Sequence, residues 1–192
     1  MTSRMKIKAF AKAAVKPILD AAGKLVPAIP DVASFEPDYP RSAAILDVPG
    51  RCQVQTYTCG VVGSWSILRS LGYGISLSEW SKRCHRRGCN SDEGMDIDQI
   101  GRALRSLRLR VSTHRYRGQQ QIRRFIDAGQ PLLFGQGNEA FSDGDHWLYL
   151  YGYSARYVYV GNVVKPLASK ERWGWRTFES ELNPREVYAI NT

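Results

Sequence analysis

A cysteine, a histidine and two side-chain amides of this sequence are the residue types that nucleophilic attack on a carbonyl requires. Cys59 stands at the start of a predicted helix, where unpaired N–H groups and the positive end of the helix dipole favour an anion. A thiolate in such a place can have a pKa well below that of a free thiol. Gly60 follows and adds no side chain beside the sulfur. Gln53 lies on the turn that leads into the helix, so its amide and the backbone N–H of Cys59 could form an oxyanion hole.

His146 opens the first of two predicted strands that form an antiparallel hairpin. Residues 146–151 and 157–162 are rich in aromatic and branched side chains, with a short loop between them. A turn centred on Ser154 places His146 opposite Asn162, and directly opposed residues have Cβ atoms about 5 Å apart. That spacing suits an amide oxygen that accepts a hydrogen bond from an imidazole N–H.

The same register separates the hairpin into an aliphatic face and an aromatic face. The His–Asn pair lies at the open end of the aliphatic face, which we expect to face the core. The aliphatic pairs are Leu148 with Val160 and Leu150 with Val158. The aromatic face carries Trp147, Tyr149, Tyr151, Tyr157 and Tyr159.

Elements around these residues predict an α+β fold, because helices come first along the body of the chain and strands come later. Apolar spacing and caps predict helices over residues 59–71, 77–83, 96–107 and 120–128. Strand-like runs follow over residues 132–135, 146–151, 157–160 and 187–190.

The stretch from Gln53 to Gly60, with the sequence QVQTYTCG, resembles the corresponding segment of papain-like cysteine peptidases. Together with His146-Trp147 at a strand start and Asn162, it is most similar to the family that removes double-glycine leaders from bacteriocins. The resemblance covers residues 51–190. It also includes the segments Gly94-Met-Asp-Ile-Asp, Gly129-Gln-Pro-Leu-Leu and Trp175-Arg-Thr-Phe.

The resemblance implies a papain-like α+β fold, in which a helical half with the nucleophile packs on an antiparallel sheet with the His and Asn. It implies Cys59 as nucleophile, His146 as general base, Asn162 as orienting residue and Gln53 as oxyanion donor. The implied activity is thiol hydrolysis of an amide bond, foremost a peptide bond, with a peptide or protein as substrate and no cofactor or metal. Papain-like folds also serve as inactive binding modules, so the alternative is an assembly module that acts through a basic surface.

Two departures from that family change what is expected. Asn162-Val163 stands where the family usually has Asp-Pro, and Asn is the papain-type residue for the same role. No transporter segment follows the body, so the resemblance does not imply a dedicated export peptidase, and the substrate does not carry over.

Composition indicates a folded, basic protein. In 192 residues, 43% are apolar and 23% are charged, which excludes a wholly disordered chain, and no apolar run is long enough for a transmembrane helix. The formal net charge is +9. Residues 82–124 contribute 12 cations and 4 anions, which is +8 of that charge. Such a surface favours an acidic macromolecule as partner. The twelve cations are Lys82, Arg83, Arg86, Arg87, Arg102, Arg105, Arg108, Arg110, Arg115, Arg117, Arg123 and Arg124.

Residues 1–50 are predicted to be an appendage of the folded body at 51–192. Residues 5–25 read as a basic, Ala-rich helix that could dock on a partner or a membrane surface, and residues 26–50 read as a Pro-rich arm. The basic residues near the N-terminus are not followed by the apolar core of a signal peptide. This favours the cytoplasm but does not decide the compartment.

Cys84 and Cys89 flank a short basic segment. With His85 they could ligate zinc, but a structural zinc site requires a fourth ligand, and the adjacent arginines disfavour a cation. We expect a disulfide or two free thiols at this place.

Overall fold

A computed structural model describes residues 18–19, 25–26, 40–50, 58–90, 94–136, 146–161, 170–182 and 185–191. The chain divides into two units, Met1–Ala33 and Ser34–Thr192. In the first unit, strands β1 (Ile18–Leu19) and β2 (Leu25–Val26) pair antiparallel. The helix predicted over residues 5–25 is therefore wrong at these four positions, and the remainder of that prediction lies outside the described residues. Pro17 directly precedes β1, and proline disfavours continuation of a helix through it.

The four helices predicted within the body all form, with small shifts at their ends. Ser76 caps the second helix by accepting a hydrogen bond from the Glu79 N–H, and Asp96 forms a capping box with Gln99 at the third. Gly129 has φ +75° just after the fourth, as a helix-ending glycine does. The helices are α1 (Cys59–Ser70), α2 (Leu77–His85), α3 (Ile97–Arg105), α4 (Gln119–Asp127) and α5 (Trp175–Glu181).

One antiparallel sheet organises the second unit. Its strand order is β4-β9-β5-β6-β7-β8, and β3 pairs with β6 at the far end of that strand. The strands are β3 (Ala44–Ile45), β4 (Arg110–Arg115), β5 (Leu132–Gln136), β6 (His146–Tyr153), β7 (Tyr157–Gly161), β8 (Lys170–Gly174) and β9 (Glu186–Asn191). The helices and this sheet confirm the expected α+β class.

Both faces of the sheet are buried, whereas the sequence suggested one core-facing side. Helices α1, α2 and α3 share a core with the aromatic face of the hairpin, including Tyr149, Tyr151 and Tyr159. Helices α4 and α5 share a second core with the aliphatic face, including Leu148 and Leu150. The tyrosines are buried because α1 lies over them.

Strand β3 places part of the predicted arm in the folded body. Ala44 pairs with Tyr153 and Ile45 with Gly152, and the Leu46 N–H donates to the Tyr151 carbonyl at 2.8 Å. Gly152 makes this approach possible, because a Cβ there would lie 2.7 Å from the Ala44 carbonyl oxygen. The body therefore begins before residue 51, since a short apolar run between two prolines finds an open stretch of β6 to pair with.

Candidate active site

The first turn of α1 presents its backbone N–H groups to the Cys59 sulfur. Thr58 is the N-cap residue and makes no side-chain cap hydrogen bond. The N–H groups of Cys59 and Gly60 instead lie close enough to the Cys59 sulfur to lower the pKa of the thiol. The first turn of α1 thus directs backbone N–H groups toward the thiol.

A third N–H group reaches the same sulfur from the sheet. The backbone N–H of Trp147 donates to Cys59, and Trp147 directly follows His146 in β6. Pairing between β6 and β7 begins only at Tyr149 and Gly161. Among the described residues, the first part of β6 therefore has no partner on its β7 side. The structure thus brings Cys59 to the end of the strand that His146 opens.

Burial dominates the protonation of the Cys59 thiol. Cys59 is 6% exposed, and this desolvation raises the pKa of the thiol above its ordinary value. The hydrogen bonds from Trp147, Gly60 and Cys59 lower it, but by less than burial raises it. The low pKa expected at the helix start is therefore not found, because the sequence does not reveal how deeply the helix start is buried.

Gly60 makes the close approach of α1 to β6 possible. A Cβ at Gly60 would lie 3.1 Å from Cδ1 of Trp147 and 3.3 Å from Cδ1 of Ile100. The indole N–H of Trp147 donates to the Met95 carbonyl at 2.7 Å, which fixes the ring against the helix start. Trp147 is thus a site residue to which the sequence, through the His146-Trp147 motif and the aromatic face, assigned no role of its own. Its position next to His146 was the available signal.

The hairpin register differs from the one expected. Leu150 pairs with Val160 rather than with Val158, and the register shifts again between Leu150 and Gly152. The turn explains the difference. The Ser154 N–H donates to the Tyr157 carbonyl at 2.8 Å, so the turn is centred beyond Ser154. The predicted pairs of Leu148 with Val160 and Leu150 with Val158 are therefore wrong.

Two of the four predicted site residues can be placed. Cys59 and His146 lie in the described part of the chain, and His146 is 5% exposed. Gln53 and Asn162 lie outside the described residues. The predicted pairing of His146 with Asn162 depended on the register that the structure corrects. The roles of Gln53 and Asn162 stay predictions from the resemblance.

Cys84 and Cys89 are free thiols, which is one of the two states that the sequence left open. Both are buried, and desolvation raises the pKa of each thiol. The described residues contain no group of three His, Cys, Asp or Glu side chains that could hold a metal ion. No helix among them is long and apolar enough to cross a membrane.

The cations of residues 82–124 lie on two sides of the sheet rather than on one surface. Helices α2 and α3 belong to the first core, and α4 belongs to the second. On α4, Arg123 lies over the Tyr153 and Trp175 rings at 5.1 and 5.8 Å. On the other side, a cavity of about 320 Å³ is lined by Arg83, Arg86, Arg87 and Ser106.

Comparisons with known proteins identify the fold. No family model and no curated protein matches the sequence. Among solved structures, the chain is similar to a double-glycine motif protease from an AMS/PCAT transporter, crystallised in complex with the leader peptide. The TM-score is 0.58 at 16% identity, over 77% of this chain and 93% of that one.

Two peptidase domains show the same likeness. The peptidase domain of Streptococcus ComA, a bi-functional ABC transporter involved in a quorum sensing pathway, gives a TM-score of 0.60 at 15% identity, over 73% of this chain and 96% of that one. The peptidase domain of Streptococcus mutans ComA gives 0.52 at 13% identity, over 74% and 98%. At such identities the likeness establishes the fold, and it confirms the fold that the sequence motifs implied.

Enlarging Gly60 tests the junction between α1 and β6. We expect Gly60→Ala to lower the free energy of unfolding by about 1–3 kcal/mol, because the added methyl must displace Trp147 or Ile100. It should also slow alkylation of Cys59, since the Trp147 N–H moves with the ring. Denaturant titration and mass spectrometry measure the two effects.

Gly101→Ala is the matched control, since Gly101 lies in α3 and its added methyl would meet only ordinary contacts at 3.8 and 3.9 Å. It should raise the free energy of unfolding, by up to about 1 kcal/mol. Equal behaviour of the two variants would contradict the close packing at Gly60.

Proposed function

We propose that this chain is a cysteine peptidase-like hydrolase that cleaves a peptide bond through Cys59 and His146. The observation that carries the proposal is the position of the Cys59 thiol, which accepts N–H groups from the start of α1 and from Trp147 beside His146. A buried thiol surrounded by donors is suited to a negative charge that appears only during reaction. The fold likeness to peptidase domains supports the same reaction class.

The raised pKa of Cys59 determines how the nucleophile forms. Burial favours the protonated thiol, and we assign His146 the role of accepting that proton as the sulfur attacks the substrate carbonyl carbon. A C–S bond forms, and the carbonyl π electrons move onto oxygen. When the tetrahedral intermediate collapses, the C–N bond breaks and His146 returns the proton to the leaving amine. Water then attacks the thioester with His146 as base, which releases the acid and restores the thiol.

Gln53 and Asn162 complete the proposed machinery. Gln53 would donate its side-chain amide to the oxyanion, together with the Cys59 N–H at the start of α1. Asn162 would accept a hydrogen bond from the imidazole and hold the ring in position. Both roles rest on the resemblance of the sequence to papain-like peptidases.

A peptide is the proposed substrate class. One solved neighbour is a protease in complex with a leader peptide, and the present chain spans 93% of its length. The identity of the cleaved peptide is not part of the proposal, because 16% identity does not carry a substrate from one protein to another.

The rate at which each cysteine reacts with iodoacetamide tests the proposal. We expect Cys59 to react at least about 100-fold faster than Cys84 at neutral pH, since general-base assistance typically contributes that much. Cys84 is a suitable reference because it is fully buried and its pKa is also raised. Tryptic digestion and mass spectrometry read each site, and a peptide aldehyde should compete for Cys59 alone.

Two histidine variants make the test specific. His146→Ala should slow the reaction of Cys59 with iodoacetamide to about the rate of Cys84. His114→Ala should change nothing, because His114 lies in β4, with its ring on Phe125 at 4.8 Å. An unaltered Cys59 rate in His146→Ala would contradict the proposal.

A second candidate function is binding of an acidic protein partner at the cavity of Arg83, Arg86, Arg87 and Ser106. The observation that favours it is a buried donor without an acceptor among the described residues, the Nε of Arg83. The other guanidinium nitrogens of Arg83 bond to Glu79 at 2.8 Å and to Ser106 at 3.1 Å. An incoming carboxylate would satisfy the Nε and pair with the guanidinium groups of the two exposed arginines.

Charge reversal tests this second function. Arg86→Glu/Arg87→Glu should weaken binding of poly-L-glutamate at low salt and flatten its salt dependence, because exposed charges are screened within about 8 Å at physiological ionic strength. Arg117→Glu/Arg124→Glu makes the same change in net charge at other exposed positions and serves as control. Equal loss in both variants would indicate a general charge effect and contradict a site at the cavity.

A further inference from the structure

Beside His146, the neighbouring strand β5 carries a second polar side chain that the reaction described above does not use. Gln136 ends β5 and is the cross-strand partner of His146. Cross-strand partners project from the same face, with Cβ atoms about 5 Å apart. Gln136 is 1% exposed and His146 is 5% exposed. An amide and an imidazole are thus enclosed side by side at one end of the sheet.

Glu181 fixes the orientation of the Gln136 amide. Nε2 of Gln136 donates to Oε2 of Glu181 at 3.0 Å, and Glu181 is 4% exposed at the end of α5. A carboxylate only accepts hydrogen bonds, so the NH₂ end of the amide must face Glu181. A β-bridge between Gln136 and Leu182 holds this end of α5 against β5.

The other end of the same amide is a buried acceptor that lacks a donor. Oε1 of Gln136 accepts no hydrogen bond from any residue that the structure describes. A buried acceptor without a donor is costly and needs a reason. Because the NH₂ end is held by Glu181, the oxygen remains available to the cross-strand neighbour, His146.

We propose that Gln136 is a positioning residue for His146: when the ring takes its catalytic orientation, Oε1 of Gln136 accepts a hydrogen bond from an imidazole N–H, a contact that the structure does not yet make, and Glu181 holds the amide in the orientation that makes this possible. The inference rests on the proposed function, because it assigns His146 the role of base. An imidazole has two nitrogens. When one faces the Cys59 sulfur, the other is left for an acceptor that sets the tautomer and the ring orientation.

The hydrogen bond has a consequence that can be measured without any substrate. An acceptor on the imidazole N–H stabilises the imidazolium more than the neutral ring, so its removal should lower the pKa of His146. The titratable groups that the contacts place at this end of β6 are the Cys59 thiol on α1 and Glu181 on α5, with the Cys89 thiol next to Cys59. Replacing Cys59 with Ala removes its thiol from the titration.

The experiment is an NMR titration of the histidine ring protons in the full chain carrying Cys59→Ala. Only three histidines are present, and the loss of one signal in His146→Ala assigns the ring. We expect Gln136→Met to lower the pKa of His146. In the chain that retains Cys59, we expect the same variant to slow alkylation of Cys59 about tenfold, which is typical of losing one hydrogen bond to a charged group.

Gln130→Met is the matched control. Gln130 is a half-buried glutamine that precedes the same strand, and its Nε2 donates to the Ile190 carbonyl at 3.3 Å, at the other end of β5. This variant can lose stability, but it should leave the pKa of His146 and the Cys59 rate unchanged. If Gln136→Met does not fold, Gln136→Met/Glu181→Met removes both polar partners together, which buried sites tolerate better.

Three results would overturn the inference. The first is an unchanged His146 pKa in Gln136→Met. The second is a lower His146 pKa in Glu181→Gln but not in Gln136→Met, which would mean that the Glu181 charge acts directly on the ring. The third is a lower His146 pKa in Asn162→Leu alone, which would leave Asn162 as the orienting residue. A lower His146 pKa in both Asn162→Leu and Gln136→Met would instead support the inference, with the two amides sharing the imidazole N–H.

Failure of the proposed function would look different. In that case, His146→Ala would leave the rate of Cys59 alkylation unchanged, whatever the effect of Gln136→Met. If His146→Ala slows Cys59 and Gln136→Met affects neither readout, the inference alone is contradicted.

Discussion

The hydrogen bond from the Trp147 backbone N–H to the Cys59 sulfur is the contact on which the proposed chemistry depends. It joins Cys59, the first residue of α1, to Trp147, the second residue of β6. The rest of the second unit holds this junction in place. Helix α1 covers the buried tyrosines of the sheet, and Gly60 lets its first turn approach the Trp147 ring.

Burial at this junction has opposite effects on stability and reactivity. Enclosing the start of α1 adds apolar contacts that stabilise the fold, but it also raises the pKa of the Cys59 thiol. A thiol that keeps its proton reacts slowly unless a base stands beside it. His146, buried at the start of β6, is that base in the proposed function. Gln136 and Glu181 would then supply the polar support that a buried imidazole needs when it becomes charged.

The sequence predicts the elements that local physics determines. Apolar spacing, caps and ending glycines located α1 to α4, and aromatic and branched runs located the central strands. The motif around Cys59 predicted the fold that the solved structures share. Strand β4 was missed because it begins and ends with arginine and contains no run of aromatic or branched apolar side chains; its pairing with β9 places it in the sheet. Helix α5 was missed because seven residues with Trp175 and Phe178 carry little helical periodicity.

Register and burial could not be predicted, because they depend on contacts between segments far apart in the chain. One turn displaced beyond Ser154 and one shift between Leu150 and Gly152 change every pair of the hairpin. The thiol pKa likewise depends on how closely α1 packs on β6. The most direct test of the account is therefore a crystal structure of the protein that measures the distance from Cys59 Sγ to the nearest His146 ring nitrogen. We predict about 3 to 4 Å, as in a free enzyme with a loosely formed catalytic contact. A distance beyond about 8 Å, well outside any hydrogen bond, would contradict it.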